Sequence, residues 1–421
     1  MTSMTTGTRS QLESPAVALR PIFILMGLSI FVNYIDRANF SIIAPLLKDE
    51  LHISASQLGF LLSAFFWTYA LATMLSGWLI DRIDVSRVLA GGYLLWSAAT
   101  AVTGLVYGFA GLFIVRLILG IGAAVALPSY SKIIAKYIPI QRRGLANACV
   151  AAGVALGPAA VAYAGGPLVA RFGWRLCFLV FGLFSLVWLL PWLRVMPKGS
   201  GVPVAHVGSI PSAAQILRQR SAWGTFVGLF CGQYHSYFLI TWLPYYLIRQ
   251  RGFSTQAMAA AAGAAFFAMA VSALFAGWVS DRLIGRGMSA TLVRKTLTGG
   301  GLGLASIIAF VPLADRSASV ALLILACMAF GACYSNTWAV TQTLAGPHAV
   351  ARWSGFKNFF GNLAGIIAPI ATGFLVERNG QFAQAFLLVA GFALLGGASW
   401  GFLVGGVRPI AWQQRQLDTS L

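Results

Sequence analysis

Asp36 and Arg37 stand side by side in a long apolar segment, Pro21 to Leu47, that reads PIFILMGLSIFVNYIDRANFSIIAPLL. Ionisable side chains at bilayer depth are expensive and mark substrate or proton pathways. Asp36 is the one carboxylate the sequence places inside such a segment. Residues three and four apart on a helix share a face. Tyr34, Arg37 and Ser41 therefore form one stripe, and Asn33, Asp36 and Phe40 the adjacent one. The acid and the base cannot both point squarely at one ligand. One arrangement aims Arg37 into a cavity and Asp36 at a neighbouring helix. A carboxyl that moves between a desolvated setting and a charged one can take up and release a proton near neutral pH. The plainer alternative is an internal ion pair that only holds helices together.

Two further cations lie in apolar stretches. Arg116 occupies FIVRLILGIGAAVALPSY and calls for a carboxylate or an anionic ligand, unless it snorkels to the outer surface from near the segment's start. Lys357 occupies SGFKNFFGNLAGIIAP, where its long stem also allows an exit to the cytoplasmic interface. Arg37, Arg116 and Lys357 against one carboxylate favour an anionic substrate. Donors for carboxylates and hydroxyls cluster in three more stretches. Tyr69 lies in AFFWTYA. Gln233, Tyr234, Tyr237, Thr241 and Trp242 lie in one later segment, and Ser335, Thr337, Trp338 and Gln342 in another. Asn358 and Asn362 follow Lys357. For any one of these, interhelical packing competes with ligand contact. His235 reads as a bundle histidine rather than a proton relay, and Pro244 in TWLPYYL can break its helix and form a gate.

The elements that must position these residues follow from composition. The 421 residues are 58% hydrophobic and 9% charged, far below the roughly 25% charge of soluble domains. Twelve segments approach the span length, near 21–47, 57–80, 88–108, 110–136, 144–170, 174–196, 222–248, 257–280, 293–313, 319–345, 354–376 and 382–406. They are too long for barrel strands, so the fold class is an all-α integral membrane protein of twelve transmembrane helices. The net charge of +19 is concentrated in the loops and tails on one side. That is the positive-inside bias, which places both termini in the cytoplasm and argues against a nucleic-acid partner. The five cysteines fall in apolar segments with no disulfide framework or metal spacing. No cofactor is expected.

The chain also repeats itself. GWLIDRIDVSR begins at Gly77 and GWVSDRLIGRG at Gly277; GLAN at Gly144 is echoed by GFKN at Gly355. Two six-helix bundles in pseudo-two-fold repeat are expected, at 21–196 and 221–406, with substrate held between them. A tail (1–20), a polar linker (197–220) and a second tail (407–421) complete the division, and both tails read as disordered. In the repeated motif, Gly77 and Gly277 permit close backbone approach, Asp81 and Asp281 can cap a neighbouring helix, and Arg82 and Arg282 can close the contact. These six residues are the expected gate, with static capping as the alternative.

At these residues the chain resembles the major facilitator superfamily over essentially its whole length. NYIDRANFSIIAP, GFLLSAFFWTYA, RFGWR, TWLPYYL and GNLAGIIAP resemble more narrowly its anion:cation symporter family, which includes bacterial carriers of hexuronates, sugar acids, tartrate and phthalate, and animal sialin. The resemblance implies proton-coupled import of a small organic anion by alternating access, in the inner (plasma) membrane, by a monomer. It implies that Arg37 is the substrate arginine and Asp36 its protonatable neighbour, that Tyr34 and Tyr69 line the site, and that Arg116 is the family's fourth-helix arginine. Ser335, Thr337, Trp338 and Asn358 match substrate-holding positions of the sugar-acid members; Gln233 and Lys357 are added from the residue reading. One departure matters: the family's GxGE becomes GIGA, with Ala123 in place of a coupling glutamate. Coupling then rests on Asp36 alone, or gives way to anion exchange or uniport; an exporter is a further alternative. A transporter-like sensor or scaffold is the reading from another class. Nothing in the sequence makes an enzyme, since there is no HExxH or nucleophile–base pair.

Overall fold

The computed structural model describes residues 19–137, 150, 153–154, 156–196 and 211–412, apart from the side chains at 77–78, 81, 135–136, 162, 347–348 and 351. The segment 1–18, most of the expected linker and the end of the second tail lie outside that set, as does Cys149.

The described chain is helical throughout. The first half runs α1 (Leu19–Ile42), α2 (Ala44–Glu50), α3 (Ala55–Arg82), α4 (Val85–Thr103), α5 (Phe109–Ala124) and α6 (Ala126–Tyr137). After a π-helical turn at Val161–Gly165 come α7 (Gly166–Phe172), α8 (Trp174–Ser185) and α9 (Leu189–Val195). The second half runs α10 (Ala213–Leu217), α11 (Arg220–Tyr245), α12 (Thr255–Gly285), α13 (Ala290–Lys295), α14 (Gly301–Leu304), α15 (Arg316–Asn379) and α16 (Ala383–Ala398). Eight helices among the described residues are long and apolar enough to cross a membrane. The remaining expected spans are α4, the stretch through α7, α11, and the broken run from α13 to Phe310. The molecule is an all-α, multi-pass membrane protein.

Local chemistry sets the boundaries. Ser54 caps α3 in a reciprocal capping box with Gln57. Asp84 caps α4 by accepting from the Ser86 and Arg87 amides, and Ser254 and Asp315 cap α12 and α15. Gly346, at φ +66°, bends α15 between its two spans, a conformation that suits glycine. Pro244 does not break α11: the helix runs through it to Tyr245 and loosens into a π turn at Tyr246–Gln250.

Outside the spans, one finding adds to the expectations and one corrects them. The polar linker contains a capped helical turn, α10, with Ser212 and Gln215 forming its capping box. The start of the second tail is ordered. Val407 is buried, the Ile410 amide donates to the Leu344 carbonyl, and the Trp412 indole donates to the Ala345 carbonyl. Trp412 also meets Trp353 edge-on. Burial of these apolar side chains outweighs the polar composition of the tail beyond them.

Residues before 196 and after 211 meet closely at the end of the molecule that carries α2. There α3 and α15 approach at backbone distance. A Cβ on Gly59 would stand 2.5 Å from the Pro369 carbonyl oxygen, and one on Gly373 2.5 Å from that of Ala55. Polar contacts close the same end. Lys48 donates to the Tyr245 hydroxyl (3.1 Å), the Ser56 amide donates to Glu377 (2.8 Å), and Arg249 pairs with Asp49.

Candidate functional site

The stripes of α1 diverge. Arg37 turns toward α3 and the second half of the chain. Its Nε donates to Asn33 Oδ1 one turn earlier (3.1 Å), which fixes the guanidinium plane. Three rings surround that plane: Tyr69 at 4.3 Å, Tyr34 at 4.6 Å and Phe65 at 5.0 Å from its central carbon. A cation among aromatic faces is held without a carboxylate and keeps its charge available. Arg37 Nη2 is buried and has no hydrogen-bond partner in the protein. Gly157 makes room for this arrangement, since a Cβ there would lie 2.7 Å from the Cβ of Tyr34.

More phenols converge on Arg37. Tyr237 from α11 and Tyr334 from α15 lie within its electrostatic reach, and Tyr130 from α6 reaches both Arg37 and Tyr69. Tyr237 is held by a short network: Gln233 Nε2 donates to its hydroxyl (3.0 Å), which donates to Asn362 Oδ1 (2.8 Å). Asn362 in turn donates to the Asn358 carbonyl. Phe66 of α3 packs on Tyr237 at 4.3 Å. Both halves of the chain therefore supply neutral hydroxyl and amide groups around one uncompensated guanidinium.

Asp36 faces the other way. It is buried among α1, α4 and α5, with Thr100 and Arg116 as its polar surroundings. Neither carboxylate oxygen has a hydrogen-bond partner in the protein. Arg116 does not snorkel. It is buried, its guanidinium lies 4.3 Å from the Phe40 ring, and Phe65 stands between it and Arg37 at 5.7 Å. Ala123 is buried in the wall of α5.

The expected second-half residues divide. Trp338 is partly exposed and lies within hydrogen-bonding reach of Tyr334. Ser335 is partly exposed beside it and spends its hydroxyl on the Ala332 carbonyl and the Asn336 amide. Thr337 turns inward and bonds the Cys333 carbonyl. Lys357 is fully buried; it does not exit to an interface. Its ammonium donates to the Thr337 carbonyl (3.0 Å) and Thr341 Oγ1 (2.8 Å) and lies 4.2 Å from the Trp338 ring centre. The structure thus brings Tyr34, Arg37, Tyr69 and Gln233 around one centre, with Trp338 and Ser335 at its edge, and holds Thr337 and Lys357 within the second half. Tyr130 and Tyr334 are site residues that motif reading passes over. Their signal was an echo, Ser-Tyr-Ser at 129–131 and Cys-Tyr-Ser at 333–335.

Of the expected gate, Gly77 and Asp81 fall outside the residues whose side chains are described. Arg82 and Asp281 are exposed, and Arg282 lies 5.3 Å from the Trp278 ring. Gly277 makes no close approach here: a Cβ on it would meet only Ser335, at 3.9 Å. Among the described residues, no group of three or more His, Cys, Asp or Glu side chains converges.

The chain is similar to known proteins in sequence and in fold. The Major Facilitator Superfamily model matches residues 26–369. The hexuronate transporter of Bacillus subtilis (strain 168) is 28% identical over 409 residues, covering 93% of this chain and 95% of its own length. The protein named probable sulfoacetate transporter SauU, of Cupriavidus necator, is 31% identical over 393 residues, covering 88% and 90%. Among solved structures, a bacterial homologue of the human lysosomal transporter Spinster, in an inward-facing and unoccupied conformation, superposes with a TM-score of 0.77 at 19% identity, covering 93% of this chain and 98% of that one.

Proposed function

The chain belongs to the Major Facilitator Superfamily, and from that membership we propose that it carries a small organic anion across a membrane together with a proton, by alternating access between two six-helix halves. The observation that carries this reading is the Arg37 guanidinium, fixed by Asn33, caged by rings and left without a carboxylate where both halves of the chain meet. A carboxylate or sulfonate is the group such a cation takes, through charge-assisted hydrogen bonds. Tyr34, Tyr69 and Tyr334 offer hydroxyls to its remaining oxygens, while Tyr130 and Tyr237, whose hydroxyls are engaged with Ser29 and Asn362, line the same space. The relatives named for hexuronate and sulfoacetate point to the same chemical class.

Asp36 is the proton carrier in this reading, adjacent to the substrate arginine in sequence but on a separate face of α1. Its burial beside Arg116 couples its charge to the arginine pair. The α2 end, closed by its backbone and polar contacts, is the outer gate in this reading, with the termini in the cytoplasm of an inner membrane. Anion exchange is the second reading, favoured by the buried Ala123 at the position of the family's coupling glutamate.

Uptake of labelled organic acids into proteoliposomes, with and without an imposed pH gradient, decides between them. Accumulation driven by the gradient supports symport; counterflow alone supports exchange. Arg37→Ala removes about 2 kcal/mol of charge-assisted bonding, so uptake at low substrate falls roughly 30-fold. Undiminished uptake by that variant removes Arg37 from the site.

A further inference from the structure

Behind Asp36, α4 presents a face that the substrate site does not use. Tyr93, Trp96, Ser97 and Thr100 recur at the three- and four-residue spacing of one helical stripe, and all four are buried. The Tyr93 hydroxyl, the Trp96 indole N–H and the Ser97 hydroxyl find no hydrogen-bond partner in the protein. Asp36 Oδ1 and Oδ2 and Arg116 Nε and Nη1 are in the same condition. Thr100 stands beside the carboxylate, but its hydroxyl proton goes to the Trp96 carbonyl. Asp36 and Arg116 lie within electrostatic reach without forming an ion pair. Buried polar atoms are hydrogen-bonded in folded proteins, and each orphan is costly. Seven of them on three helices, donors and acceptors mixed, specify an occupant that both gives and accepts hydrogen bonds.

The same stripe leads somewhere. Tyr93 lies within electrostatic reach of both Asp36 and Tyr130, with Ser185 beside its hydroxyl. Tyr130 shares a 2.6 Å hydrogen bond with Ser29 and lies within reach of Arg37 and Tyr69. The groups that face Asp36 are thus Thr100 and Tyr93 from α4 and Arg116 from α5, with Tyr130 of α6 beyond them.

The geometry points to a buried water cluster in the first half of the chain, bounded by Asp36, Arg116 and the α4 stripe, that conducts the Asp36 proton to the Tyr130–Ser29 pair at the edge of the central site. Water is the small neutral ligand that satisfies a carboxylate, a guanidinium, an indole and two hydroxyls together. In each transfer a proton leaves the Asp36 carboxyl for a neighbouring water oxygen, and that water releases one of its own protons onward. Each oxygen on the path gains one O–H bond as it loses another, so the net transfer is one proton, passed at the end from the Tyr130–Ser29 hydroxyls to water of the central site. The route lets Asp36 exchange protons while the substrate stays on Arg37. It rests on the reading of Asp36 as the proton carrier; the cluster itself does not.

Two measurements test it. X-ray radiolytic footprinting in water labelled with heavy oxygen oxidises buried side chains only where bound water touches them. Tyr93 and Trp96 of the unmodified protein should take up the heavy oxygen, while the equally buried Trp242 does not. Absence of label at Tyr93 and Trp96 overturns the cluster. Tyr93→Phe and Ser97→Ala, singly and together, should then slow uptake driven by a pH gradient severalfold, with substrate counterflow and affinity unchanged. Gradient-driven uptake equal to the unmodified protein overturns the route. If the unmodified protein shows no gradient-driven uptake, the symport reading falls and the route with it, while the labelling result still decides whether the cluster exists.

Discussion

At the scale of single residues, adjacency in sequence conceals separation in space. Asp36 and Arg37 are neighbours on one helix, yet the first is buried against α4 and α5 and the second is caged between α1, α3 and the second half. Helical geometry dictates this, since successive side chains lie on different faces. A carboxylate and a guanidinium so divided can serve two ligands at once. Asp36→Asn keeps shape and volume and removes the titration. It should abolish accumulation driven by a pH gradient and preserve counterflow, measured in the same vesicles; loss of both would place Asp36 in the substrate site instead. The position of Arg37 was legible in the sequence because an apolar segment rarely carries a cation. The inward position of Lys357 was not. Its stem is long enough for either exit, and only the acceptors at Thr337 and Thr341 decide between them.

At the scale of elements, glycine sets how closely helices meet. Gly59→Val drives a side chain against the Pro369 carbonyl and should cost about 1–3 kcal/mol of the closed α2 end. Labelling of a cysteine placed at Ser56, buried in that contact, should quicken in the variant; an unchanged rate would mean the helices repack without parting. A side-chain bridge between α2 and α8 supplies a second case. Glu50, at the end of α2, accepts from Arg175 (2.6 Å) and from the Trp174 indole (2.8 Å) of α8. The Arg175 bond holds its carboxyl below the ordinary carboxylate range. The folded protein therefore binds fewer protons there than the unfolded chain, so the stabilisation is present above that range and lost as pH falls through the lowered value. Melting curves of Glu50→Gln and the unmodified protein should differ at neutral pH and converge in acid. Much of this level was readable, because caps and apolar lengths are local properties. The stripe of Tyr93, Trp96, Ser97 and Thr100 carried a helical period too, but its apolar context let it pass as an ordinary span. The seating of Trp412 depends on Trp353, far away in sequence, and no local pattern encodes it.

At the scale of the whole molecule, the internal repeat was visible in GWLIDR and GWVSDR, and it extends into the site. Asn33 and Arg37 form a bonded pair one turn apart in α1; Gln233 and Tyr237, 200 positions later, form another in α11. The charged copy faces a neutral copy, which concentrates the attraction for an anion on one half. Charge also decorates the closed end. Arg249→Asp should weaken closure only slightly, because exposed ion pairs contribute about 0.2–1 kcal/mol. Combining it with Asp49→Arg should restore the unmodified labelling rate at that end, and failure to restore it would deny the pair any part in closure. The stronger restraint is the bare peptide of α3 lying against that of α15. Main chain apposed to main chain has no flexible tips to yield one at a time. Separation there must be abrupt, like a zip with a single tooth, and turnover limited by it should steepen sharply with temperature, whatever solute is on board.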